Sequence, residues 1–161
     1  LQKESDQLIT ANVLNTNKIF IDSISKSKVI LPVLGEPNDN FVENNSKPKL
    51  KIITKGENAK NFLYSYKNKI ISLEEINNAA SGIGAISLIP NIDGIIRNIP
   101  LLYNIDNQIW PSLALEAIRI ATNQKNLLVQ SDKSGISVIK TRKDVFPGDQ
   151  NGIINITISM I

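Results

Sequence analysis

Apolar residues Leu8, Ile9, Val13 and Leu14, then Phe20, Ile21 and Ile24, recur at helical spacing, with Asp6 placed near the start. The pattern predicts one helix, or two short ones, from Asp6 to about Ser25. Val29-Ile30-Leu31-Pro32-Val33-Leu34 is then a continuous apolar run stopped by Gly35-Glu36-Pro37, which suits a strand covered on both faces, as in a parallel sheet. Polar Asn38 to Lys49 lacks a period and reads as a loop, followed by a strand near Leu50 to Thr54. Ser72-Leu73-Glu74-Glu75 has the form of a capping box, so a short helix runs to about Ala80 and ends through a left-handed glycine at Ser81-Gly82. Ala85 to Ile89 predicts a strand before Pro90, and Ile95 to Ile105 a further extended segment closed by Asp106-Asn107. Pro111 at a first helical position, with Leu113, Ala114, Ala117, Ile118 and Ala121 on one face, predicts a helix through about Thr122, on whose surface Glu116 and Arg119 pair weakly. Three short strands complete the chain, Asn126 to Gln130, Gly135 to Thr141 and Gly152 to Ile158, with turn signals at Asp132-Lys133-Ser134-Gly135 and Asn151-Gly152. Helices interleaved with buried strands give an α/β fold with a mixed, largely parallel sheet flanked by helices, in a single domain.

With 161 residues, 42% of them hydrophobic and 20% charged, the chain can bury a core of its own. Its strongest apolar stretches, Ile83 to Ile89 and Ile95 to Leu102, fall short of the roughly 18 residues a membrane span needs. Histidine and cysteine are both absent. That removes the usual general base near neutral pH, the commonest zinc ligand, thiolate nucleophiles and disulfides. No catalytic residue, metal ion or cofactor is implied. The net charge of +3 would point to nucleic acid if the lysines were clustered, but Lys47, Lys49, Lys51 and Lys55 alternate with Pro48, Leu50, Ile52 and Ile53, as on the wet face of a strand. Lys140, Arg142 and Lys143 form the other small group. A solvated face accounts for both better than a phosphate-binding patch does.

Gly82-Ile83-Gly84 superficially echoes a dinucleotide fingerprint, yet here a helix ends and a strand begins, the reverse of the order that motif requires. Close backbone approach explains these glycines better. Asp93-Gly94 has the chemistry of a turn. Arg97 follows, and alternation places it on the face of Ile95, Ile99 and Leu101, where a partly buried guanidinium needs a carboxylate or several carbonyls. Two readings stay open: an Asp93–Arg97 pair that holds the turn, or an Arg97 that receives an anionic group of a ligand. Ser112 suits a helix N-cap, and Trp110 is the single tryptophan, with Tyr103 across the predicted turn. The candidate ligand-binding residues are therefore Arg97, Asp93, Gly94, Ser112, Trp110 and Tyr103. Carboxylates at Glu74, Glu75, Asp144 and Asp149 are not fixed as a catalytic pair by anything in the pattern.

Between Ala79 and Ala121 four segments occur in order: the glycine-rich Gly82-Ile83-Gly84, then Asp93-Gly94-Ile95-Ile96-Arg97, Pro100-Leu101, and the helix start Pro111-Ser112-Leu113-Ala114. This succession resembles CHASE2, an extracytoplasmic sensory domain of bacterial membrane receptors. Val29 to Leu34, with its Pro32, is similar to an early strand of that family, and Phe146-Pro147-Gly148-Asp149 with Gly152 to Ile156 is similar to a late segment. An acidic strand segment before the first helix and a final glycine-rich segment are lacking, so residues 1–161 are expected to be a CHASE2-like domain incomplete at both ends. Leu1 is not a methionine, and a piece of a longer protein is expected. The resemblance implies a non-enzymatic sensor on the periplasmic side of an inner membrane. It would answer an unidentified small-molecule ligand or stimulus and be tethered by flanking segments outside this chain. Its output would be a histidine kinase or nucleotide cyclase, with no nucleic-acid partner and with room for a homodimer through the full-length receptor. The alternatives are a cytosolic α/β enzyme fragment using carboxylates, or a weak anion- or nucleic-acid-binding module.

Overall fold

The computed structural model describes residues 16–38, 44–88, 90–146 and 148–155. Residues 16–25 are helical (α1), and the part of the first predicted helix between Asp6 and residue 15 lies outside the described residues. Strand β1 (Ile30–Glu36) sits between β4 (Asn68–Ile71), antiparallel to it, and β5 (Gly82–Ala85), parallel to it. Pro32 is tolerated inside β1 because it pairs with Gly84 of β5, while the pairing with β4 begins only at Val33. A four-stranded sheet follows the order β11 (Val145–Phe146), β10 (Gly135–Lys140), β9 (Asn126–Asp132), β2 (Lys51–Gly56). Strands β3 (Tyr64–Tyr66), β7 (Leu102–Ile105) and β8 (Gln108–Pro111) form a third sheet, and β12 (Ile153–Asn155) pairs with β6 (Asn98–Pro100). The α/β class with mixed pairing stands as expected, but antiparallel pairs outnumber parallel ones among the described residues, so the sheets are not largely parallel. Parallel pairing is divided among β1–β5, β2–β9 and β3–β7 rather than gathered in one sheet.

Several elements differ from the sequence pattern for identifiable reasons. Ile95 to Ile105 is not one extended segment. Strand β6 begins at Asn98, and the chain breaks at Leu101, whose amide donates to the Gly152 carbonyl and whose carbonyl accepts from the Ser112 amide, each at 2.8 Å. Asp106 and Asn107 both take left-handed φ, 52° and 54°, and form a two-residue hairpin from β7 into β8, a strand the periodicity did not reveal. The strand expected over Ala85 to Ile89 ends at Ala85, and Ile89 lies outside the described residues. The capping box at Ser72 does not form: helix α2 (Glu74–Ala79) has Leu73 at its N-cap with no side-chain bond, and the Ser72 carbonyl instead accepts from Asn77 Nδ2 at 2.7 Å. Pro111 closes β8 instead of opening a helix, and Ser112 caps α3 (Leu113–Ala121), its Oγ accepting from the Leu115 amide at 3.2 Å.

Helix α3 departs most from its pattern. The apolar face expected to be buried leaves Ala114, Ala117 and Ala121 exposed and Ile118 42% exposed, while Leu115 and Glu116 are the buried residues. Glu116 and Arg119 do not pair weakly on the surface. Arg119 Nε donates to Glu116 Oε2 and Nη2 to Oε1, both at 2.7 Å, with the Glu116 side chain fully buried. Two of the three remaining guanidinium protons reach the carbonyls of Gln124 at 2.9 Å and Ser81 at 3.4 Å. This inversion is possible because β5 carries glycines. A Cβ on Gly82 would lie 2.3 Å from Glu116 Oε1, and one on Gly84 would lie 2.5 Å from the Leu113 Cα. Gly82 has no positive φ; close approach, and not a left-handed helix cap, is what it provides.

The core has two parts. One holds Leu101, Leu102, Leu115, Leu127, Val129 and Ile139, and the other Val33, Ile83, Ala85, Tyr103, Ile105 and Trp110. Leu102 belongs to the first and its neighbour Tyr103 to the second, so β7 is buried on both faces and is the wall between them. Arg119→Ala should strand the Glu116 carboxylate in the interior and cost about 3–5 kcal/mol of unfolding free energy. Gly84→Ala should push α3 off β5 at a cost of about 2 kcal/mol. Urea unfolding of both variants checks these outcomes.

Candidate functional site

A cleft of about 360 Å³ opens between the end of β5, β6 and the first turns of α3. Its lining combines Ala85, Ile86 and Leu88 from β5 and the segment after it, Ile99 from β6, Tyr103 from β7, and Ser112, Leu113, Ala114 and Ala117 around the helix start. The floor is buried, with Ala85, Tyr103 and Ser112 each at most 3% exposed, whereas Ile86, Leu88, Ala114 and Ala117 form an exposed rim. The same features that invert α3 create this hollow. Glycines bring the helix onto β5, and its outward face then offers methyl groups where longer side chains would fill the space.

The floor is tied down by hydrogen bonds. Tyr103 Oη donates to the Ser87 carbonyl at 2.5 Å, and the buried Ser87 hydroxyl accepts from the Gly35 amide at 2.8 Å, so one residue after β5 is fixed to both β7 and β1. Burial pushes the Tyr103 phenol well above its ordinary value, with Tyr66 and Tyr64 adding to the shift. Tyr66 is raised as well, chiefly by burial, and its ring lies 6.5 Å from that of Tyr103. Both phenols are therefore neutral at physiological pH. Trp110 is directly opposite Tyr103 across β7 and β8, fully buried, with Nε1 donating to the Ile105 carbonyl at 3.2 Å.

Of the residues singled out by sequence, Tyr103 and Ser112 line the cleft, and Trp110 packs beside Tyr103 in the core without lining it. Asp93, Gly94 and Arg97 are elsewhere, in an exposed turn before β6. Arg97 is not on a partly buried strand face: its side chain is 45% exposed, because β6 starts after it. Its Nη1 lies 2.9 Å from Asp93 Oδ1 and 2.7 Å from Oδ2. The Arg97 hydrogen bond, followed by the Ile95 amide, holds the Asp93 carboxyl below its usual range. Gly94 at φ +78° completes the turn, donating to the Asn91 carbonyl at 2.8 Å. Sequence reasoning missed Ile86, Ser87, Leu88, Ile99 and the role of Ala114 and Ala117. Alanines three apart beside longer apolar residues were the available signal, and they were read only as one face of a helix.

Lys49 is the other charge engaged near α3. Its Nζ donates to the Asn78 carbonyl at 2.8 Å and to that of Ala80, capping the end of α2. Burial lowers the Lys49 ammonium below its ordinary value, partly opposed by the Glu116 carboxylate. Among the described residues no group of three or more Asp, Glu, His or Cys could hold a metal ion, and no helix is long and apolar enough to cross a membrane.

The described residues thus form a small α/β domain with an apolar cleft beside a capped helix. The CHASE2 domain family model matches residues 2–160, nearly the whole chain, and the chain belongs to that family. CHASE2 domains are extracytoplasmic sensory domains of receptors, which agrees with the resemblance carried by Gly82-Ile83-Gly84, the Asp93 to Arg97 segment and the Pro111 to Ala114 helix start. No curated protein and no solved structure compared with the chain matches it.

A phenol whose folded pKa is raised above its unfolded value of ~10 stabilises the fold below that pH and loses the contribution as pH climbs toward the folded value. Unfolding free energy should therefore fall between about pH 10 and 11.5, and Tyr103→Phe should flatten the fall. The same variant loses the bond to Ser87 and should cost about 1 kcal/mol at pH ~8. Urea titrations at the two pH values separate these effects.

Proposed function

We propose that this domain is the ligand-sensing part of a bacterial membrane receptor, exposed on the periplasmic side and coupled to a histidine kinase or nucleotide cyclase. The observation that carries the reading is the cleft with a buried floor and an exposed apolar rim beside the capped start of α3, in a chain of the CHASE2 family. Its volume is within the range of about 300–1,000 Å³ typical of small-molecule sites. A molecule that fits the cleft in one arrangement of α3 and the segment after β5 stabilises that arrangement, and the population shifts toward it by the difference in affinity. Ser112 and Tyr103 are the proposed contacts, Trp110 supports Tyr103 from the core, and the Asp93-Gly94 turn with Arg97 precedes the strand that supplies Ile99.

Ion pairing of three carboxylates weighs against the carboxylate-enzyme reading. Asp93 is engaged by Arg97, Asp106 by Lys69 at 2.6 Å, and Glu116 by Arg119. The domain is proposed to carry no catalysis and no cofactor of its own, and its tethers are proposed to lie outside this chain.

A thermal-shift screen of the purified chain against neutral apolar molecules, small anions, amino acids, nucleotides and peptidoglycan fragments tests the sensing reading. A saturable, concentration-dependent rise in the melting midpoint with at least one class is expected. A complete absence of stabilisers across the classes would overturn it. Because the Asp93–Arg97 pair is exposed, Arg97→Ala alone should leave the midpoint within about 2 °C of wild type.

A further inference from the structure

The polar groups of the cleft narrow what it can hold. Apart from Tyr103 and Ser112, every lining side chain is apolar. Tyr103 has committed its proton to the Ser87 carbonyl. Ser112 Oγ accepts from the Leu115 amide, and its own proton has no protein acceptor shown among the described residues, so a hydroxyl 3% exposed at the floor retains one donor. No charged side chain lines the cleft, and the charges nearest to it along the chain are already paired, Glu116 with Arg119 in the interior and Arg97 with Asp93 in an exposed turn. A carboxylate or phosphate buried there would meet no cation and would lose its hydration without replacement.

Resting on the sensing reading above, we propose that the cleft binds a neutral, predominantly apolar small molecule bearing a single hydroxyl or carbonyl group, which accepts the Ser112 proton while its apolar body lies against Ile99, Ala114 and Ala117. At ~30 Å³ per water-sized unit, the space suits on the order of ten non-hydrogen atoms. The apolar side chains that α3 and the segment after β5 leave in solvent, among them Leu88 at 50% exposure, gain a covering from such a molecule that the rest of the described chain does not give them. Discrimination against a charged analogue of the same shape follows, because a site without a partner rejects a charge more strongly than an apolar wall rejects an added methylene.

The test is a two-dimensional amide NMR titration of the whole 161-residue chain with a shape-matched pair, benzyl alcohol and benzoate. Benzyl alcohol should shift the amides of Ala85, Ile99 and residues 112–117 saturably, with benzoate at least tenfold weaker. Ala117→Leu, a change at an exposed position, should fill the cleft and weaken benzyl alcohol at least tenfold while spectral dispersion and melting midpoint are kept. Arg97→Ala should leave the benzyl alcohol affinity unchanged. Tighter binding of benzoate, abolished by Arg97→Ala, would overturn the proposal in favour of an anion site. Shifts of the same amides that depend on protein concentration without any probe would overturn it in favour of a second copy of the chain. No saturable shift with either probe would overturn it as well. If the thermal screen finds only charged stabilisers, this inference falls while the sensing function stands.

Discussion

The contact between β5 and α3 is the constraint on which the rest of the molecule depends. Gly82 and Gly84 let the helix backbone rest on the strand with no Cβ between them, and at that distance the Glu116 carboxylate has no route to water. It must be paired, and Arg119 pairs it with two bonds while two further protons reach the carbonyls of Ser81 and Gln124. A buried ion pair adds little net stability, but breaking one is costly, so this pair selects a single seating of α3. That seating fixes which side of the helix is left over. The side left over is apolar, and it walls the cleft.

Much of the fold was legible. The apolar run after Val29 is a strand, though it extends to Glu36 and is not covered on both faces, since Pro32 and Leu34 are exposed; the turn signals at Asp132 to Gly135 and at Asn151-Gly152 are turns, and Ser112 is an N-cap. These are local matters, decided by period, φ preference or a hydroxyl near a free amide. Strands β3, β4 and β8 were not legible. Residues 64–71 lack a clean alternation, and β8 ends in Pro111, whose preference for a helix start was overridden by the hairpin partner Leu102.

The candidate site was legible only in part. Tyr103 and Ser112 were found through their chemistry, and both lie at the cleft. Arg97 was assigned a half-buried face by alternation, which fails because the chain is not a strand until Asn98. Helix α3 was recognised by its apolar face, yet which face is buried was not legible, for a more general reason. Hydrophobic periodicity assumes that the apolar stripe faces the core, and the assumption breaks where glycines on the neighbouring strand admit a paired charge instead. The departure occurs beside the cleft that is proposed to take a ligand, as expected where a sequence serves two demands at once.

Helix α1 is held in an unusual way. Within residues 16–25 Ile24 is the buried residue, while Ile19 and Phe20 are mostly in solvent. Just past its last turn, the Val29 carbonyl accepts from the Ser81 amide at 2.8 Å and the Gly82 amide at 3.3 Å, at the start of the strand whose other end floors the cleft. Among the described residues of the helix, burial is thus concentrated at Ile24, near the end whose chain leads to β5. A rotation of about 10° there would move a point on the helix ~15 Å away, at about 1.5 Å per residue, through roughly 2–3 Å. So small a rearrangement at the strand is geared up into a displacement comparable to half a helical turn, before any further element has to move.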